Sequence, residues 1–483
     1  MPLQFLKRNP NHEIKQLTKD LTVGKPSKNI LMFVVPVIIG HFFQLLYNWT
    51  DAIIIGQFMG PNAFGALSAC SPVINLFITL TLGFMTGAAV VLGQLFGNKS
   101  YEDMRKAQTT IITCMLIASA ILMLAGALLA RPLLNLLNVS PDQIDMSVSY
   151  LRIYFLGIAA MAMFNTFAQM IQSVGNSIIP LLALIAGTVA NIVLDLLFIA
   201  VFNMGIAGAA IATVIGQALA ALICFLYVQK RISILRIKRR EFRFDIPLFG
   251  RTIRLAVPSM IQQLCASLGF LVINALINKN GPDFTTAFGL GNRIDELMTI
   301  QIMSFGTALT AFSAQNKGVG NIDRIKKGLR SSLLMCAGLI AFFGALLLIF
   351  RHNLISVFMS VETDLGGNPE VVSEITAKFM AIMIPSFFAL EAMFLLSAVL
   401  RGTGAAIAAM EVNLVSLIFR VAAALLLNRY FGYIGVFIAT PIGWFIGMLW
   451  AILHYFRKKW ACINNVVPNP ETVAATAEAN ENK

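Results

Sequence analysis

The chain has 483 residues, 58% of them hydrophobic and 12% charged, with a formal net charge of +13. So little charge cannot cover the surface of a soluble protein of this length, and apolar runs of bilayer-spanning length recur throughout, so the chain reads as a polytopic membrane protein. The basic excess is then topological rather than a nucleic-acid footprint, because cytoplasmic loops collect Lys and Arg.

In chain order, residues 1–28 are polar and lack the apolar core of a cleavable signal, and are expected to form a cytoplasmic tail. Apolar segments are predicted at 29–58, 63–97, 107–130, 146–172, 178–202, 206–229, 252–279, 284–316, 328–350, 375–400, 405–428 and 433–456. The first, second and eighth exceed what a perpendicular crossing needs, which implies tilt, a kink or extension beyond the bilayer. A basic loop, 230–251, separates residues 29–229 from 252–456, and a cytoplasmic tail is expected at 457–483. One set of loops and tails carries 26 Lys and Arg and the opposite set carries 4, which predicts an even number of crossings with both termini cytoplasmic. The six cysteines are scattered, with no CxxC, so neither a disulfide framework nor a metal site is expected.

The two halves repeat each other. VVPVIIGHF (34–42) answers AVPSMIQQL (256–264), and GQLFGNKSYEDMRK (93–106) answers AQNKGVGNIDRIKK (314–327). GIAGAAIATVIG (205–216) matches GYIGVFIATPIG (432–443) at seven of twelve positions. A repeat of six crossings returns to its starting side, so the copies are parallel. The expected fold is all-α, with twelve transmembrane helices in two parallel-repeat six-helix bundles. Such pairing is typical of transporters, with the substrate path between the halves.

Polar residues within the apolar segments fall on stripes. At about 100° per residue, His41, Gln44, Asn48 and Asp51 share an arc of roughly 80°, with Tyr47 beside them. Ser68, Ser71, Asn75, Thr79 and Thr86 share a similar arc of segment two; Thr188, Asn191 and Asp195 share one of segment five; Thr213 and Gln217 are a turn apart in segment six. The simplest packing turns these stripes toward one interior space in the first half. A charged residue at mid-bilayer costs roughly 2.5–3.5 kcal/mol, so Asp51 and Asp195, with no basic partner in their own segments, are the functional candidates. Two carboxylates facing one cavity suit reversible protonation or a bound cation such as Na⁺. His41 reads as a hydrogen-bonded member of its stripe rather than a proton carrier. The second half keeps Thr440 opposite Thr213 but has Ala422 opposite Asp195. Asp295 and Glu296 read as structural, with Arg293 and Arg420 to neutralise them, whereas Glu391 lacks an obvious partner and is a second-half candidate. Pro36 removes a backbone hydrogen bond and permits a hinge in segment one.

The pattern resembles the multidrug and toxic compound extrusion (MATE) family, on its bacterial DinF-type branch. The resemblance rests on Pro36, Gln44 and Asp51, LGQLFGN (92–98), QSVGNSIIPLL (172–182), NIVLDLLF (191–198), GAAIAT (208–213) and NRID (292–295). It implies two lobes and a central cavity that opens alternately to each side of a bacterial cytoplasmic membrane. Cationic or amphipathic small molecules would leave in exchange for H⁺ or Na⁺, without a resident cofactor and in a monomer. It also implies a first-lobe cation site at Asp51, Asn191, Asp195 and Thr213. A cavity including His41, Gln44, Tyr47, Asn48, Asn75 and Gln169 is expected. Segment seven has no acid and Glu391 fits its position only approximately, so a second-lobe site is disfavoured. The alternative is a flippase of lipid-linked precursors from the same superfamily, which should hold its cargo with Lys or Arg; Arg152 is the only basic residue within segments one to six. No nucleophile motif or phosphate loop points to an enzyme, and contacts with membrane lipids are expected.

Overall fold

The computed structural model describes residues 18–237, 242–361 and 368–462. The predicted tails therefore lie largely, and the basic loop partly, outside the described residues. The helices are α1 (Pro26–Met59), α2 (Pro61–Gly97), α3 (Tyr101–Leu136), α4 (Pro141–Leu156), α5 (Ile158–Ser173), α6 (Ile178–Asp195), α7 (Gly205–Arg231), α8 (Ile246–Asn278), α9 (Pro282–Gly318), α10 (Ile322–Ile349), α11 (Arg351–Val361), α12 (Pro369–Gly402), α13 (Ala406–Phe431), α14 (Tyr433–Phe456) and α15 (Lys459–Cys462). Among the described residues there is no β-strand, and the fold is all-α as expected. Eleven helices are long and apolar enough to cross a bilayer; α4 and α5, bent by 47° at their junction, make a twelfth if taken as one span.

Local sequence explains where the elements start. Pro occupies the first turn of α1, α2, α4, α8, α9 and α12, where its missing N–H would be unpaired in any case. Asp245 caps α8 by accepting the Leu248 amide at 2.9 Å, and Asn321 caps α10 by accepting the Arg324 amide at 3.0 Å. α1 stays helical through Pro36. Its 34 residues would span about 51 Å, well beyond a hydrocarbon core of about 30 Å. The length of the first, second and eighth segments is therefore real helix.

One large apolar core is built almost wholly from residues 273–460, joined by Leu21 and the first turns of α1. Two smaller cores lie almost wholly between residues 54 and 235. The groups meet where α2 packs on α8 and α9. A β-carbon on Gly83 would sit 2.6 Å from the Met260 Cα, and one on Gly87 would sit 2.5 Å from the Ala256 Cα. Small residues here let the backbones approach, the usual device for packing helices in lipid.

Both described ends of the chain lie at one end of the bundle, near the end of α9, where Leu21 meets Gln315 and Lys317 donates to the Ala461 carbonyl at 2.8 Å. The segment before α1 forms a strap across it. The Leu21 amide donates to the Gln315 Oε1 at 2.9 Å, and the Gln315 side chain donates to the Ser173 carbonyl at 2.8 Å. Arg324 donates to the Leu21 carbonyl at 3.1 Å and to the Val23 carbonyl at 2.9 Å, while the Lys19 amide donates to the Val174 carbonyl at 3.0 Å. Beside the strap, Gln94 donates to the Gly402 carbonyl at 3.0 Å and accepts from Arg251 at 2.7 Å. Residues from α2, α5, α8, α9, α10 and α12 are thus tied together at one end.

Candidate functional site

A cavity of about 630 Å³ opens within the first half, with walls from α1, α2, α4, α5, α6 and α7. Twelve sequence-predicted residues line it: Pro36, His41, Gln44, Tyr47, Asn48, Asp51, Ser68, Ser71, Asn75, Gln169, Thr213 and Gln217. Asp51 is the one acid in that lining, and no Lys or Arg is among the described lining residues.

Asn191 and Asp195 do not reach the cavity surface. Both are 0% exposed, in a second layer behind Asp51, which is itself buried at 8%. The Asp51 and Asp195 carboxyls adjoin each other, Asp195 adjoins Asn191, and the Tyr47 hydroxyl adjoins Thr213. These approaches are close without hydrogen-bond geometry. Both Asp195 oxygens, the Asn191 amide oxygen and nitrogen, the Thr213 hydroxyl and one Asp51 oxygen are buried with no hydrogen-bond partner among the described residues. Unmade hydrogen bonds on buried polar atoms are costly, about 1–3 kcal/mol each. A set of carboxylate, amide and hydroxyl oxygens relieves that cost by taking a proton or a hard cation. The oxygens suit Na⁺ chemically, and they suit a shared proton equally well.

Two local features build this layer. Gly187 on α6 and Gly216 on α7 cross closely: a β-carbon on Gly216 would lie 2.8 Å from the Gly187 carbonyl oxygen. The crossing is one turn from Asn191 and from Thr213, so it draws both into one layer. Directly after Asp195 the chain turns π-helical, over Leu196–Val201. Such turns rotate the residues before them relative to the helix that follows, and they recur at functional sites.

Farther along the same α1 stripe, the His41 Nδ1 lies 2.9 Å from the Ser304 Oγ of α9. That hydroxyl already donates to the Ile300 carbonyl at 2.7 Å, so it accepts from the His41 Nδ1–H. His41 therefore joins the two halves, in keeping with a hydrogen-bonded role.

A family profile decides what kind of molecule carries this site: MatE matches residues 36–197 and 258–426, one stretch in each half. The chain belongs to the MatE family. MatE proteins are membrane transporters, so this chain is a multi-pass transporter and not an enzyme. It is similar to a probable multidrug resistance protein of Bacillus subtilis, YpnP, at 27% identity over 91% of this chain and 97% of that one. It is also similar to an FAD transporter of Shewanella oneidensis, at 26% identity over 90% and 94%. Among solved structures, the Vibrio cholerae MATE transporter VcmN, as a variant, shares the fold with a TM-score of 0.84, at 22% identity over 91% of this chain and 99% of that one.

Several sequence expectations differ in detail. The cavity is walled by the first half alone, as the stripes predict, whereas the resemblance implies a central cavity between the lobes; here α2 packs directly on α8 and α9. Thr86 bonds its own helix at the Leu82 carbonyl, 2.8 Å away, and with Thr79 it is absent from the cavity lining, so the stripe on α2 is shorter than its arc suggested. Glu391 is buried at 2% against Cys336 and the Ala337 backbone of α10, away from the cavity. Tyr150, Tyr154, Asn165 and Gln172 line the cavity but were not singled out from sequence. Tyr150 and Tyr154 stand one turn apart in an apolar segment, a spacing that would have exposed them.

Proposed function

We propose that the chain exports organic cations or amphipathic compounds from the bacterial cytoplasm by antiport with H⁺ or Na⁺. The observation that carries this reading is the two-layer site, in which Asp51 and Thr213 face the cavity and Asp51 adjoins a sealed layer of Asp195 and Asn191. A cationic cargo is held by Asp51 and by the faces of Tyr47, Tyr150 and Tyr154 in a low-dielectric cavity. An incoming H⁺ or Na⁺ neutralises the carboxylate pair, which weakens its hold on the cargo and changes the hydrogen bonds that α6 and α7 make to α1. Pro36, in the cavity wall, is where α1 bends as it answers. The cargo and the coupling ion thus compete for one charge, which is the requirement of exchange. The bias of basic residues toward the strap-bearing end supports both termini lying in the cytoplasm.

The names of relatives support both a multidrug and a flavin-nucleotide substrate. A cavity with an acid and no Lys or Arg in its described lining weighs for cations, since a diphosphate cargo, of a nucleotide or a lipid-linked precursor, would need positive partners. The test is dye efflux from energised cells expressing Asp51→Asn or Asp195→Asn. Loss of efflux at wild-type expression is expected; wild-type rates from both variants would rule the carboxylate exchange out.

A further inference from the structure

A second cavity, of about 290 Å³, lies at the strap-bearing end of the second half, between the starts of α8 and α13 and the end of α14. Its walls include Arg254, Arg457 and Lys459, with Glu411 as the one acid in the lining. The Glu411 carboxylate lies 2.9 Å from the His454 Nε2, without hydrogen-bond geometry, so three cations against one acid leave the lining with an excess of positive charge. None of the three cations is ion-paired among the described residues. Positive charge gathered in one concavity without partners repels itself, so the site is complementary to an anion. The first turn of α13, Ala406–Ala408, also lines it, and Ala405 supplies no side-chain cap to that helix start. Its amides add donors of the same polarity.

The flanks of this concavity decide which anion. Ile407, in the lining, is 55% exposed on α13, and on α14 Trp450 and Leu453, one turn before the lining residues His454 and Arg457, are 36% and 38% exposed. In a bilayer those side chains meet acyl chains. Trp460 closes the floor, its indole N–H donating to the Tyr455 carbonyl at 2.9 Å and its ring stacked on Tyr455 at 5.2 Å. Cations beside apolar, aromatic flanks match a molecule with a phosphate head and a hydrocarbon tail.

We infer that this cavity binds the phosphate headgroup of an anionic phospholipid, through Arg254, Arg457 and Lys459. Its location gives the lipid a role. Leu255, next to Arg254, contacts the Gly87 position of α2, so a headgroup that clamps α8 to α13 and α14 steadies the surface on which α2 packs.

The test uses the full chain in zwitterionic phosphatidylcholine nanodiscs doped with phosphatidylglycerol, read by the melting midpoint and by retention of lipid in native mass spectrometry. Phosphatidylglycerol is expected to raise the midpoint saturably. Arg254→Gln with Arg457→Gln and Lys459→Gln should weaken lipid retention at least tenfold. Lys459→Gln alone, on the short α15, should weaken it several-fold and keeps the test available if the triple variant fails to fold. Lys99→Gln with Lys106→Gln, at the same end but outside the cavity, should leave it unchanged. Equal loss from that control pair would mean a general basic surface and overturn the site. An equal shift from inorganic phosphate without anionic lipid would also overturn it, by assigning a free anion instead.

Discussion

Gly87→Ala tests whether the seam between the halves sets the state of the transporter. The added β-carbon would lie 2.5 Å from the Ala256 Cα and 2.7 Å from the Leu255 carbonyl carbon. Carbon atoms rest about 3.5–4.0 Å apart, so α2 and α8 must separate by about 1 Å. The obstructing atoms are backbone and cannot rotate aside. Overpacking of this kind costs about 1–3 kcal/mol, which moves an equilibrium by about 5- to 150-fold away from the form with this seam packed. The strap reports that equilibrium, because the Leu21 amide is held by Gln315 across the same end. Hydrogen exchange of a peptide covering residues 18–23 should lose protection by the same factor, and efflux should fall. Unchanged protection with unchanged efflux would show that the close approach of α2 and α8 does not govern opening.

Three further outcomes follow from the geometry. Gln315→Ala strands the Leu21 amide and the Ser173 carbonyl, both buried, and should lower stability by about 1–3 kcal/mol in a reversible unfolding titration in detergent. His41→Ala and Ser304→Ala, combined in a double-mutant cycle on stability, should show a coupling of about 0.5–1.5 kcal/mol across the halves; additive effects would mean the 2.9 Å contact is idle. Asn191→Ala should raise the coupling-ion concentration needed for half-maximal efflux while leaving the cargo concentration dependence nearly unchanged, because Asn191 is sealed from the cavity.

The span pattern was legible because lipid imposes one rule on every crossing: backbone polar groups must be satisfied within a helix, so length and hydropathy reveal each one. The stripe of His41, Gln44, Asn48 and Asp51 was legible for the same reason, since helical period fixes which residues share a face. What sequence could not give was depth. Asp195 and Asp51 both read as cavity acids, yet one is the wall and the other lies behind it, because the Gly187–Gly216 crossing and the π-helical turn set how α6 and α7 approach α1. Neither leaves a periodic signature. The strap was also hidden: Leu21 sits in a polar segment, and its burial at 1% depends on Gln315 and Arg324, some three hundred residues away. The fourth span reads as one apolar run, and its 47° bend falls at Gly157, against which the Val214 side chain of α7 packs.

The central claim is that the Asp51–Asp195 pair exchanges a cation cargo for a coupling ion. It is tested most directly in proteoliposomes loaded with a fluorescent organic cation, under a pH gradient and a Na⁺ gradient imposed separately. The account predicts gradient-driven cation movement by the wild-type chain and loss of gradient dependence in Asp195→Asn, with the dye still bound. Cation movement that ignores both gradients, or full gradient coupling in Asp195→Asn, would contradict it.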